Sequence, residues 1–228
     1  MKTYKFQPIH GRARAVALWL LISILVDIVT IALFAFDLSM LARLDTLTQA
    51  EITAWDATRV IGYLTVLFNL VVVVIVCFWI YRASANAHSL RKGLQTPPPW
   101  AVGWYFIPFA NLFKPFGAMR EIWRVSLRRE GEVTPYDGVL SGWWTFWILS
   151  GITGNIALRL NMGSTTAEGF VAGAWIGIIS SMLSIGSTWL LRSIVQRISA
   201  GQAEAHALKI EATEAASAEA EQSDLAPL

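Results

Sequence analysis

The sequence is poor in charge and nearly devoid of cysteine. Of its 228 residues, 15% are charged and 55% hydrophobic, against roughly 25% charged side chains in soluble domains. So little charge points to a bilayer as the solvent. Cys77 is the single cysteine and lies inside an apolar run, which excludes a disulfide framework and a thiolate metal cluster. His10, His88 and His206 are scattered and form no HExxH or HxxxH pair, so the helical zinc-hydrolase pattern is missing. No glycine-rich phosphate loop precedes a basic residue, and no serine stands in a nucleophile elbow. The histidines fall outside every apolar run, and Asp27 and Asp37 are ten residues apart on one helix. Neither a Ser–His pair nor an Asp pair can therefore be assembled within a bundle. The expectation is a protein that is not an enzyme, with no cofactor and no metal. A net charge of +2 offers no field for nucleic acid.

Long apolar runs are what the chain has instead. Residues 15–41, 60–81, 139–158 and 170–191 each meet the length requirement, about 20 apolar residues in a helix for a hydrocarbon core of about 30 Å. The first is too long for the core of a cleaved leader and carries Asp27 and Asp37, so it reads as a retained signal anchor. Of the 18 basic residues, all but Arg43, Arg59 and Arg159 lie in the N-terminal tail, the middle loop or the C-terminal segment. Loops rich in Lys and Arg stay cytoplasmic, so both termini are expected inside a bacterial inner membrane. The expected architecture is all-α and polytopic, with four transmembrane helices. A cytoplasmic tail 1–14 precedes a membrane domain 15–200, whose cytoplasmic loop is 82–134, and an acidic Ala/Glu-rich tail 201–228, largely disordered, follows.

Capping chemistry marks the helix starts. Thr48 with Glu51, and Thr165 with Glu168, have the spacing in which a hydroxyl and a carboxylate satisfy first-turn amides. Thr134, Pro135 and Asp137 place a cap, a first-turn proline and an acid before the third span. Gly93 and Pro97 to Pro99 end the second helix, so spans two and four are expected as helices longer than the bilayer.

The middle loop is dense in signals. Trp100 to Phe113 is apolar but interrupted by Gly103 and Pro108, which makes it either interfacial or re-entrant. After Pro115, a basic amphipathic helix is expected, with Phe116, Met119, Ile122, Trp123 and Leu127 on one face and Arg120, Arg124 and Arg128 on another. That helix belongs flat on the cytoplasmic leaflet. Its arginines serve topology and snorkelling, or recognise anionic lipid or a partner protein. Nine of the 11 tryptophans fall in the inner halves of spans or the inner loop, unlike a belt that decorates both interfaces.

The run YRASANAHSL after span two, the stretch WxxGWYFIPxxNLxKPxxAMREIW and the opening GWWTFW of span three resemble a bacterial membrane family, DUF4328. The similarity covers roughly 55–195, with matching positions Tyr81, Arg82, Asn86, Trp100, Trp104, Pro108, Asn111, Lys114, Pro115, Glu121, Trp123, Trp143, Trp144 and Trp147. A domain of unknown function brings no catalytic residue with it. Read physically, Arg82 and Asn86 lie one helical turn apart, and Asn111, Lys114 and Glu121 lie on the loop that folds back toward them. A cytoplasmic-face polar network of Arg82, Asn86, Asn111, Lys114 and Glu121 is expected, serving to hold the loop down or to bind a ligand.

Within the spans, Asp27 and Asn69 come to similar depth when counted at about 1.5 Å per residue. Asp27 is then either protonated and paired with Asn69 or a titrating site for protons or cations, the basis of an alternative reading as a small transporter or channel. Gly169, Gly173, Gly177 and Ser181 form a small-residue stripe for packing within the bundle or for an oligomer through helix four. The leading expectation is a non-enzymatic membrane module of unknown biochemical activity that meets lipids or partner proteins at its cytoplasmic face.

Overall fold

Long stretches without proline, built from Leu, Ile, Val and Ala, leave the backbone no alternative in an apolar solvent but to satisfy its own amides as helix. In the computed structural model, which describes residues 4–127 and 138–225 with side chains through 218, all regular structure among the described residues is helical. Helix α1 is His10–Leu41, α2 Gln49–Leu90, α3 Pro98–Gly103, α4 Lys114–Leu127, α5 Gly138–Gly163 and α6 Ala167–Leu225. Short 3-10 turns occupy Leu44–Thr46, Trp104–Phe106 and Ala110–Leu112.

Among the described residues, three helices are long and apolar enough to cross a membrane: α1, α2 and the Ala167–Ala218 part of α6. In the most apolar stretch of α2 only 6% of residues are buried, so Val60, Leu64, Leu67 and Leu70 present bare apolar side chains, a surface suited to lipid or to another apolar face. The expected third span is helical as α5, but Gly, Ser, Thr and Trp dilute its apolar residues. It does not join the other three.

The start of α2 carries the cap that its sequence spacing predicts. Thr48 N–H donates to Glu51 Oε2 at 2.9 Å, and Glu51 N–H returns to Thr48 Oγ1 at 3.3 Å. At α6 the cap is shifted by one residue: Thr166 Oγ1, not Thr165, accepts from Gly169 N–H at 3.2 Å. The signal at Thr134, Pro135 and Asp137 lies outside the described residues. Where disorder was expected from Gly201 onward, α6 continues as helix to Leu225. Ala, Glu, Gln and Lys are strong helix formers, and the stretch begins on a packed platform, since Ile194, Val195, Ile198 and Gln202 are wholly buried.

The chain divides into two compact units. One consists of Ala15–Cys77 and Asp137–Ser193. Here the small-residue stripe of α6 meets partners in its own chain: a side chain added at Gly173 would strike Asn161 of α5 at 2.9 Å, and at Gly177 it would strike the Phe34 ring of α1 at 2.4 Å. Ser181 is buried as well, while Gly169 faces the nearby Ser164. Ser180 Oγ donates to Ser150 O of α5 at 3.0 Å, and Trp55 Nε1 donates to Asp37 Oδ1 at 2.7 Å. Trp144 and Trp147 stack at 4.7 Å.

The other unit consists of Met1–Arg14, Phe78–Tyr136 and Ile194–Leu228. Its axis is the end of α2, where Ala83, Ser84, Ala85, Asn86 and Ala87 are at most 1% exposed. A helix covered on every side needs small residues so that its neighbours can approach. Trp79 and Ile80 of α2, Met119, Ile122 and Trp123 of α4, and Ile194 and Ile198 of α6 complete this core. At Gly201 a Cβ would lie 2.2 Å from Ser126 O, so α4 and α6 touch there backbone to backbone.

Candidate functional site

Asn86 is wholly buried on α2, and a buried amide must find partners for both ends. Its partner is the backbone of Gln7. Gln7 N–H donates to Asn86 Oδ1 at 3.1 Å, and Asn86 Nδ2 donates to Gln7 O at 2.8 Å. A neighbouring β-strand would offer the same pair of bonds, so one side chain stands in for a strand edge. One turn earlier, Arg82 donates from Nε and Nη2 to Asn86 Oδ1 at 3.2 and 2.8 Å, and from Nη2 also to Lys5 O. Arg12 lies close enough to repel Arg82 electrostatically.

Residues 4–9 precede α1 without helix, and Pro8 both lacks an N–H and biases Gln7 toward extended backbone. Aromatic contacts hold the segment at its sides. Phe6 stacks on His206 at 3.8 Å, Tyr4 meets the His88 ring edge-on at 5.7 Å, and Ile9 is buried. Lys209 Nζ donates to Ser89 O at 2.8 Å, tying α6 to the end of α2. An open cavity of about 480 Å³ runs along this edge, lined by Tyr4, Phe6, Ser89, His206, Lys209, Ile210, Thr213 and Glu214.

Beneath the segment a buried polar seam joins three helices. Gln202 Nε2 donates to Ala83 O at 2.9 Å and to Ser126 Oγ at 3.1 Å, while Trp79 Nε1 donates to Ser199 Oγ at 3.3 Å. Gln202 Oε1 and Trp123 Nε1 are buried without a protein partner. Sequence reasoning missed Gln7, Ser199 and Gln202. A seryl or glutaminyl residue in an Ala/Glu-rich helix gives no sign of burial, and Gln7 is recognised by its backbone alone.

The middle loop forms a second feature of the same unit. Trp100 and Trp104 pack at 4.5 Å, and Lys114 Nζ lies 5.7 Å from the centre of the Trp104 ring. Phe106, Phe109 and Phe113 are 69%, 83% and 73% exposed, three bare rings within eight residues. Phe109 has φ +62°, a backbone state that costs a non-glycine residue about 1–3 kcal/mol and concentrates at functional sites.

The expected network at the cytoplasmic face is divided. Arg82 and Asn86 pair with each other and with the N-terminal segment. Glu121 Oε2 accepts from Thr96 N–H at 3.0 Å, Lys114 turns to Trp104, and Asn111 sits in the 3-10 turn Ala110–Leu112. Helix α4 does carry Arg120 and Arg124 on an exposed face, and Arg128 lies outside the described residues. Its apolar side, however, is covered by protein rather than lipid, because Met119, Ile122 and Trp123 pack into the core. In the other unit, Asp27 and Asn69 have different neighbours: Ser184 of α6 lies beside the Asp27 carboxyl group, while the exposed Asn69 donates to Thr65 O of its own helix at 2.9 Å. An exposed amide on an apolar helix satisfies itself on the nearest backbone carbonyl. Among the described residues, no group of three or more His, Cys, Asp or Glu is placed to hold a metal ion.

A profile of the family described as Domain of unknown function (DUF4328) matches residues 43–200. The chain belongs to the DUF4328 family. No curated protein and no solved structure matches it. The DUF4328 region contains Arg82, Asn86 and the whole aromatic loop, whereas the N-terminal segment and Gln202 lie outside it.

Proposed function

We propose that this DUF4328 protein is a non-enzymatic membrane module that engages the lipid of the cytoplasmic leaflet of a bacterial inner membrane through residues 100–113. The exposure of Phe106, Phe109 and Phe113 carries the reading. Bare rings on a strained turn are wasted in water but fit an acyl boundary, where Trp100, Trp104 and Lys114 suit the headgroup level. Arg120 and Arg124 on the exposed face of α4 add attraction to anionic lipid, about 1 kcal/mol per basic residue near the surface. In this reading α5 is a fourth span. Its 26 residues extend about 39 Å at 1.5 Å each, and Leu149, Ile152, Ile156 and Leu158 leave it bare. Both termini are then cytoplasmic, in keeping with the basic residues.

Nitroxide labels test the depth of the loop. In a Cys77→Ser background, a label at position 109 or 113 in proteoliposomes is expected to collide more with oxygen than with a water-soluble nickel chelate. A label at Lys92, an exposed linker position, provides the opposite reference. Equal nickel accessibility at 109 and 92 would remove the proposal.

One observation favours the transport reading. Asp27 is half-buried with Ser184 beside it, and buried Ser23 and Ser181 lie one turn away on the same helices. A proton or cation path would use these groups. Asp27→Asn abolishes flux in proteoliposomes if that reading holds and leaves the loop's lipid contact untouched.

A further inference from the structure

The open cavity of about 480 Å³ beside the N-terminal segment has walls from that segment, from the end of α2 and from α6. Its volume lies within the range of small-molecule pockets, about 300–1,000 Å³. The lining combines two chemistries. Tyr4, Phe6, His206 and Ile210 supply rings and an aliphatic chain, while Lys209 and Glu214 supply one charge of each sign.

These charges are not spent on each other. Among the described residues neither Lys209 nor Glu214 forms an ion pair. Lys209 is nonetheless held in place, because its Nζ donates to Ser89 O at 2.8 Å, and two of the three donors of an ammonium remain. Thr213 Oγ1 donates to Lys209 O at 2.8 Å, which keeps its lone pairs for accepting.

Lys209 and Glu214 are five residues apart on α6, about 7.5 Å along its axis. A molecule that satisfies both must carry an anionic and a cationic group a few ångströms apart. An α-amino acid does. Its carboxylate and ammonium, about 3 Å apart, reach partners about 8–9 Å from each other through bonds of about 2.8 Å. Its side chain then lies against the apolar walls and covers Ile210, which is 45% exposed.

We propose that this cavity binds a free α-amino acid with an apolar, by preference aromatic, side chain, its carboxylate on Lys209 and its ammonium on Glu214 and Thr213. The ligand rests on Tyr4 and Phe6 as well as on α6, so its presence braces the N-terminal segment. Of the lining residues only Ser89 falls within residues 43–200. The site is therefore a property of this chain and not one that the family match brings with it.

Equilibrium dialysis of the full-length protein in nanodiscs, with empty nanodiscs subtracted, tests this with three probes: L-phenylalanine, 3-phenylpropanoate, which lacks the ammonium, and phenethylamine, which lacks the carboxylate. Phenylalanine is expected to bind saturably and about three- to tenfold more tightly than either, the contribution of one partly exposed charged contact. Glu214→Gln should abolish the preference over 3-phenylpropanoate and leave that over phenethylamine. Lys209→Met should do the reverse, and Lys209→Arg, which keeps the charge, should restore the wild-type ranking. Tighter binding of O-phosphoethanolamine than of phenylalanine would mark a lipid-headgroup site and overturn the proposal. So would no saturable binding of phenylalanine, a preference below about threefold, or a Glu214→Gln protein with the wild-type ranking.

Discussion

Asn86→Ala removes four hydrogen bonds at one position, two to Gln7 and two from Arg82. The two to Gln7 are neutral and contribute about 1 kcal/mol each net, while a bond to a charged group contributes about 1.5–3 kcal/mol. Arg82 still reaches Lys5 O, so only part of its contribution to holding the segment is lost. The segment is then weakened by about 2–3 kcal/mol, which at 1.4 kcal/mol per tenfold is about 30–150-fold in its detachment. Hydrogen exchange followed by mass spectrometry in nanodiscs reads this directly. Exchange at the Gln7 amide should quicken by that factor, while amides of α5 stay as they were. Asn86→Asp is informative beside it, because it keeps the acceptor for Gln7 N–H and pairs with Arg82. It also turns the donor facing Gln7 O into an oxygen, so quickening of about tenfold is expected, from one lost bond and its replacement by repulsion. If Asn86→Ala changes the Gln7 amide by less than about threefold, the segment is not held by this side chain and the reasoning fails.

Gly201→Ala should destabilise the unit that contains it by about 1–3 kcal/mol, as overpacking does, because the added carbon would lie 2.2 Å from Ser126 O. Thermal unfolding in detergent, followed by tryptophan fluorescence, checks this, and an unchanged midpoint counts against the close approach. Gln202→Met gives up two donated bonds of about 1 kcal/mol each but also removes the orphaned Oε1, whose burial costs about 1–3 kcal/mol, so the net change should stay within about 1 kcal/mol. Gln202→Glu places a carboxylate against Ala83 O and should cost several times more; equal midpoints for the two variants would refute the polar-seam account.

Much of the fold was legible because lipid imposes a simple rule of length and apolarity, and α1, α2 and α6 obey it. Faces were less legible. A helix that is apolar all round carries no stripe to say which side meets protein, so the contact of Gly177 with Phe34 had to be seen rather than read. The turn joining Arg82 to Asn86 was visible from spacing, yet their shared partner was not, since Gln7 offers backbone atoms that any residue would offer. Asn69 shows a different limit: depth along two helices says nothing of their rotation about their axes, and the exposed side chain bonds to Thr65 O of its own helix. Beyond Gly201, composition suggested nothing to bury. Gln202 is buried all the same, because the end of α2 presents a carbonyl at Ala83 and α4 a hydroxyl at Ser126.

The end of α2 has a consequence for biosynthesis. Trp79 waits for Ser199, and Ser89 for Lys209, each 120 residues later in the chain. At about 5–20 residues per second, that interval is about 6–24 s of translation. Throughout it, a tryptophan destined to be 1% exposed has left the ribosome without the helix that will cover it. The N-terminal segment, synthesised first, is among the last to find its place. A bulky tag fused ahead of Tyr4 should therefore hinder maturation of this protein more than one fused after Leu228.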